Sequence, residues 1–344
     1  MELPTIPLFD ARDGGPVAHA RDRADRTLAV RDACLGWVPA GGALARIGDP
    51  LVRRWMRRSA SPYVQDIADI QTRLGRPGAW TLHGAYLFGC TALADEGAAG
   101  PRLRRTLDWP FPGLGHLAEI VRQRGPAGEF LNVTWPGFVG VLTAMAPGRF
   151  AAAINQAPMP RRTAAAALRW TDYARNALRP LRSTRTWPPE HLLRHVFETC
   201  VDFAEARATL EQAPLARAVL FTLVGVNPGD CVVIEREETA FRTRRADGAI
   251  ANAWQEARDG WEPRVCGVGG PTENNARRIA ALSAWSGRDS SFFEWVEPPV
   301  RNAFTRLSVD MVPASGSLHV MGWEPDASGN ATPVSAGGVN PSPG

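Results

Sequence analysis

Cys90 is the side chain in this sequence best suited to act as a nucleophile. It closes the apolar run Tyr86-Leu-Phe-Gly89, and Arg105-Thr-Leu-Asp108 follows it downstream. A thiol attacks as its thiolate, and an unassisted cysteine is mostly protonated at neutral pH. A nearby arginine favours the thiolate, and an aspartate can orient an adjacent amine or ammonium. No histidine belongs to this pattern, so the base must come from elsewhere. The economical source is the cysteine's own α-amine, which titrates at roughly 7.7–8.0 and is set free if the chain cuts itself between Gly89 and Cys90. A nucleophile at a chain terminus carries its own base in this way. The pattern is short, and an isolated cysteine in an apolar run is ordinarily just a buried small side chain. The wider sequence has to decide.

Several further segments follow in order. Cys90-Thr-Ala-Leu-Ala-Asp leads to Arg104-Arg105-Thr-Leu-Asp108-Trp-Pro-Phe, then Thr134-Trp-Pro-Gly137-Phe-Val-Gly140, then Phe150-Ala-Ala-Ala-Ile-Asn155. A stretch from His191 to Phe221 reads as a helix followed by a strand. Asp247-Gly-Ala-Ile-Ala-Asn252 and Asn274-Asn-Ala-Arg277-Arg278 complete the series. Taken together, residues 80–323 resemble the choloylglycine hydrolase and acid ceramidase superfamily of N-terminal nucleophile hydrolases, with similarity also to penicillin acyltransferase-type enzymes. The resemblance implies an α+β fold, a four-layer αββα sandwich with an N-terminal helical pro-segment. It implies Cys90 as nucleophile and, through its amine, base. Arg105 and Asp108 stand beside it, Asn155 is an oxyanion donor, Asn252 a second site asparagine, and Arg277 the late arginine. Asn274 and Asn275 are alternatives to Asn252, and Arg278 is the alternative to Arg277. Ala251 stands where the family has threonine, and Arg104 where it has glycine.

The activity implied is hydrolysis of a linear, non-peptide amide. The substrate is a small N-acylated amine with a hydrophobic acyl group, and no cofactor or metal is called for. An acyltransferase using the same acyl-enzyme, or a silent binding protein of the same fold, are the alternatives.

Composition fits a globular enzyme. Of 344 residues, 44% are hydrophobic and 22% charged, ordinary values for a folded domain. All 39 basic side chains are arginine, and the net charge is only +4. The arginines are scattered rather than clustered with aromatics, which argues against a nucleic-acid partner. Five cysteines, odd in number and without a C-x-x-C pair, argue against a disulfide framework or zinc cluster. No apolar run approaches the roughly 20 residues of a membrane span, and Met1-Glu-Leu-Pro does not open like a signal peptide. The expected location is therefore the cytoplasm; homo-oligomerisation is left open.

The elements that must position these groups can be read coarsely. Residues 1–89 read as the pro-segment and small subunit, helical over 18–33 and 44–75 with breaks at Pro39 and Asp49-Pro50. The run from Trp80 looks extended. Short strands are expected at 130–135, 138–144 and 150–155, helices over 160–212, and strands at 217–225, 230–235 and 239–244. A helix at 273–286 and a hairpin, Thr305–Val312 with Ser317–Trp323, complete a catalytic domain of residues 90–325. The Gly/Pro/Ser-rich stretch 326–344 reads as a disordered tail. His191 and His195 read as a surface or partly buried pair. Trp109, Trp135 and Trp254 are candidates to line an apolar acyl pocket.

Overall fold

The computed structural model describes residues 2–85, 89–163, 165–246, 248–266, 269–287 and 293–340. Helices α1 (Gly15–Asp22), α2 (Ala24–Gly36), α3 (Gly41–Met56), α4 (Val64–Leu74) and α5 (Ala79–Gly84) follow a short strand β1 (Leu8–Asp10). The strands β2 (Gly89–Gly97) and β3 (Gly100–Asp108) form a hairpin in which Gly89 faces Asp108 and Ala92 faces Arg105. Then come α6 (Leu114–Leu117) and strands β4 (Glu119–Gly125), β5 (Gly128–Thr134), β6 (Thr143–Ala146), β7 (Phe150–Gln156) and β8 (Met159–Pro160). Helices α7 (Arg169–Leu178), α8 (Pro189–Thr199) and α9 (Phe203–Gln212) lead to β9 (Val219–Val224), β10 (Cys231–Arg236) and β11 (Phe241–Arg245). Two short strands, β12 (Ala249–Ile250) and β13 (Trp261–Glu262), precede α10 (Pro271–Ala284), and β14 (Thr305–Val312), β15 (Ser317–Pro325) and β16 (Ala331–Val339) follow.

These strands build two large sheets. One has eight strands in the order β1-β4-β5-β6-β7-β9-β10-β11, the other six in the order β12-β2-β3-β14-β15-β16. Strands β2 and β3 face β7 and β9 across the interior, α8 and α9 cover the larger sheet, and α10 and α6 cover the smaller. This is the expected αββα layering. The shared core holds Ala92, Leu103, Leu107 and Val309 from one sheet and Ile154, Phe221 and Leu223 from the other. Because β7 is covered on both faces, all seven of its residues are buried, and Phe150–Ile154 reads as a continuous apolar run instead of an alternation. No helix among the described residues is long and apolar enough to cross a membrane.

Several expectations need correction. The stretch from Asp326 is not a disordered tail as far as Val339: β16 pairs antiparallel with β15 over Ala331–Val339, and Ala336 bridges to Thr5. Burial of Ala331 and Ser335 and ladder hydrogen bonds on both sides outweigh its polar composition; residues 341–344 lie outside the described residues. Pro50 does not break the helix but sits inside α3, whose burial of Ala45, Trp55 and Met56 compensates the lost hydrogen bond. The run from Trp80 is not extended up to Gly84 but helical, as α5. Its N-terminus is capped at a distance by Asp49, which accepts from the Gly78 and Thr81 amides at 2.8 and 2.9 Å. Residues 86–88, also expected to be extended, lie outside the described residues. Of the strand expected over 138–144, only the end is strand, in β6. His191 is fully buried, its Nδ1 sharing a 2.8 Å hydrogen bond with Ser61 Oγ.

Candidate active site

Strand alternation in the β2–β3 hairpin divides the polar groups between two faces. Cys90 and Arg105 point into the space between the sheets. Arg105 Nη2 lies 2.6 Å from Cys90 Sγ and donates to Ile154 O at 3.1 Å, while Nη1 donates to Thr143 Oγ1. The sulfur also lies 3.5 Å from Ile154 O. On the other face, α10 sends Arg278 to the same hairpin, where it donates to Cys90 O at 2.7 Å and Thr91 Oγ1 at 2.9 Å. Arg278 also reaches Asn252 Oδ1 at 3.2 Å and Asn275 Oδ1 at 3.0 Å.

Asn252 sits where the faces meet. Its Oδ1 accepts the Cys90 N–H at 2.9 Å, and its Nδ2 donates to Gln156 O at 2.9 Å. Asn155 makes the reciprocal link, donating from Nδ2 to Ala251 O at 3.1 Å. Each amide NH2 carries a second hydrogen, so both asparagines keep a donor for a ligand. Asp108 closes the corner opposite Gly89. Its Oδ1 accepts from Thr305 Oγ1 at 2.9 Å, and its buried Oδ2 has no hydrogen-bond partner, with Arg278 Nη1 3.8 Å away.

Burial sets the electrostatics. It pushes the Cys90 thiol up to about 11 despite the opposing pull of Arg105. Burial also raises the Asp108 carboxyl, against Arg278 and Thr305. In the continuous chain Cys90 is therefore a protonated thiol at neutral pH. Cys266 packs against the residue before it: a Cβ on Gly89 would lie 1.3 Å from Cys266 Sγ.

The fold places Cys90, Arg105, Asp108, Asn155 and Asn252 around one corner, but not Arg277. That side chain is exposed on α10, and Arg278, one residue on and fully buried, occupies the place. Helical phase is the reason: Arg278 follows Asn274 by four residues and shares its buried face. Asn274 and Asn275 buttress Arg278 and do not replace Asn252. Asp247, which begins the Asn252 motif, lies outside the described residues, as do residues 267–268. Arg104, at the unusual position, points away from the thiol, its Nη1 donating to both carboxylate oxygens of Asp95 at 2.9 Å. Thr143, Thr305 and Cys266 escaped the sequence reading, because nothing local marks a strand threonine or a loop cysteine as touching a distant hairpin.

An apolar cavity adjoins this corner. Trp109, next to Asp108, and Leu142, next to Thr143, line it together with Trp135, Phe111, Leu82 and Glu190. The rings of Trp109 and Trp135 meet edge to face at 5.3 Å. Trp254 is elsewhere, packed against Trp261 and under the Arg258 guanidinium.

Comparison with known proteins gives one curated relative and several structures. The chain is 31% identical over 134 residues to a probable acid ceramidase of Caenorhabditis elegans, covering 39% of this chain and 31% of that protein. The chain thus spans about a third of the length of the curated relative it matches. Among solved structures, the N-acylethanolamine-hydrolyzing acid amidase ortholog of Caenorhabditis elegans is 20% identical, with a TM-score of 0.46 over 65% of this chain and 93% of that one. A mutant conjugated bile acid hydrolase from Clostridium perfringens is 10% identical, with a TM-score of 0.41 over 73% and 92%. Penicillin V acylase from Agrobacterium tumefaciens is 13% identical, with a TM-score of 0.41 over 68% and 83%. No family model matches the chain.

Proposed function

We propose that the protein is an amidohydrolase that cuts itself between Gly89 and Cys90 and then cleaves the linear amide of an N-acylated amine. The observation that carries this reading is the treatment of Cys90: its thiol meets Arg105 and its nitrogen meets Asn252, beside the unpartnered Oδ2 of Asp108. In self-cleavage the thiol attacks the Gly89 carbonyl and its proton passes to the departing Cys90 nitrogen. Water then hydrolyses the thioester, leaving a Gly89 carboxylate and a Cys90 with free thiol and α-amine. Asn252 Oδ1 and Asp108 Oδ2 are ready acceptors for the new ammonium.

In turnover the α-amine takes the thiol proton and the thiolate attacks the substrate carbonyl. The spare amide hydrogens of Asn155 and Asn252 receive the oxyanion; one such donor is worth about 2.7–4 kcal/mol of barrier. The ammonium protonates the leaving amine, and water releases the acid from the thioester. The cavity beyond Trp109 and Leu142 takes the acyl chain.

Intact mass under denaturing conditions tests the first half. Fragments of residues 1–89 and 90–344 are expected from the wild type, before or after incubation in acid, and a single chain from Cys90→Ala. A Cys90→Ala chain that is still cut at Gly89 would sink the proposal.

A further inference from the structure

The acyl cavity contains a group that an apolar tail does not need. Glu190, at the start of α8, lines it and is 6% exposed, and its Oε2 has no hydrogen-bond partner. The surrounding polar groups are committed elsewhere. His83 uses both ring nitrogens, Nδ1 with Ala79 O at 2.6 Å and Nε2 accepting from the Val139 amide at 2.9 Å. Arg31 donates to Pro77 O at 2.7 Å and pairs with Asp32. Arg217, whose charge acts on Glu190, donates to Gly84 O at 3.1 Å and lies over the Trp55 ring. A buried carboxyl oxygen without a partner is costly unless a ligand supplies one.

We propose that Glu190 is a specificity determinant that recognises a hydroxyl group on the acyl chain, so that hydroxylated acyl amides are preferred over plain ones. The inference rests on the cavity being the acyl site. A hydroxyl suits this position because it pairs with the carboxyl in either protonation state, donating to the carboxylate or accepting from the acid. An ammonium would pair only with the carboxylate and would have to leave water for apolar walls. Val30, Ile70 and Leu74 of the N-terminal helices supply part of those walls, so the hydroxyl would be read against an otherwise featureless channel.

The test compares coumarin amides of decanoic acid and of hydroxydecanoic acids substituted at successive carbons. One position in the series is expected to raise kcat/KM in the wild type by about tenfold or more over the plain chain. Glu190→Leu should abolish that advantage, bringing the ratio of hydroxylated to plain kcat/KM down to about one. Glu190→Gln, which keeps hydrogen-bonding atoms and volume, should retain part of it and serves if the leucine variant does not fold. Calorimetric binding of the matching N-methyl amides to the Cys90→Ala chain reads the cavity without the chemistry. Selective binding with no turnover by the wild type would overturn the amidohydrolase reading and keep this one. Equal treatment of plain and hydroxylated chains in both assays, or a preference that survives Glu190→Leu, would overturn this inference.

Discussion

At Cys90 two influences oppose each other: burial holds the proton on the thiol and the Arg105 guanidinium draws it off, with burial ahead. Arg105→Met removes only the second, so Cys90 becomes harder to ionise. Alkylation of Cys90 by iodoacetamide at pH 8, followed on its own peptide by mass spectrometry, should slow by about tenfold for each unit of displacement. An unchanged rate would show that Arg105 has no hold on the thiol. Gly89 is constrained differently. Since its Cβ would fall 1.3 Å from Cys266 Sγ and 2.9 Å from Cys266 Cβ, a methyl there cannot fit without displacing the Gly89–Cys90 peptide or the Cys266 side chain. Gly89→Ala should therefore lower Tm and stop self-cleavage. Gly89→Ala with Cys266→Gly should recover both, because the next contact, Asp108 Cβ at 3.5 Å, is ordinary van der Waals distance. Recovery absent in the double variant would mean that the glycine is needed for another reason.

Among the elements, α8 carries the clearest pH signature. Burial pushes the Glu190 carboxyl from 4.5 up to about 7, with Arg217 opposing; His83, lowered to about 4 by its own burial, is neutral in that range. As pH rises from 4.5 to 7 the unfolded chain gives up this proton first, so the folded state is the better proton binder and loses stability through that window. The displacement corresponds to about 3 kcal/mol at most. Glu190→Gln should remove the slope, gaining Tm over the wild type as pH rises from 4 to 8; a parallel pair of Tm curves would contradict it. What was legible in the sequence follows from the same distinction between local and distant partners. Cys90, Arg105, Asp108, Asn155 and Asn252 could be placed because each lies in a segment with its own pattern, and the two sheets arrange those segments in space. Spacing alone does not separate Arg277 from Arg278; helical phase does so only with the burial of Asn274 and Asn275 that the structure shows. Helix α5 and strand β16 were not legible, because Asp49 caps the first across the intervening sequence and the N-terminal strand region completes the second. Glu190, an acidic residue in the first turn of α8, carries no local sign that it lines a cavity.

Across the whole molecule, residues 2–85 are built into the sandwich instead of lying over it. Strand β1 extends the eight-stranded sheet, pairing parallel with β4, and the chain just before it bridges to β16 of the other sheet. On the far side Arg194 of α8 pairs with Asp66 of α4 and with Glu198, each at 2.7 Å. Tyr63 donates to Glu198 Oε2 at 2.5 Å, and Trp55, Met56, Ile67, Ile70 and Trp80 form a buried cluster with Val139 and Ala216. Scission at Gly89–Cys90 would leave every one of these contacts intact. Fragments 1–89 and 90–344 should therefore co-elute as one particle on size exclusion at neutral pH and separate only in denaturant. Arg194→Met leaves the partly exposed carboxylates of Asp66 and Glu198 short of their shared cation, and should bring release of the small fragment to lower urea concentration without altering the mass of either piece. Spontaneous separation of the wild-type fragments in buffer would mean that the N-terminal helices act as a detachable pro-segment, and the cavity proposed for the acyl chain, walled partly by Val30, Ile70, Leu74 and Leu82, would then have to be replaced by a site in the larger fragment alone.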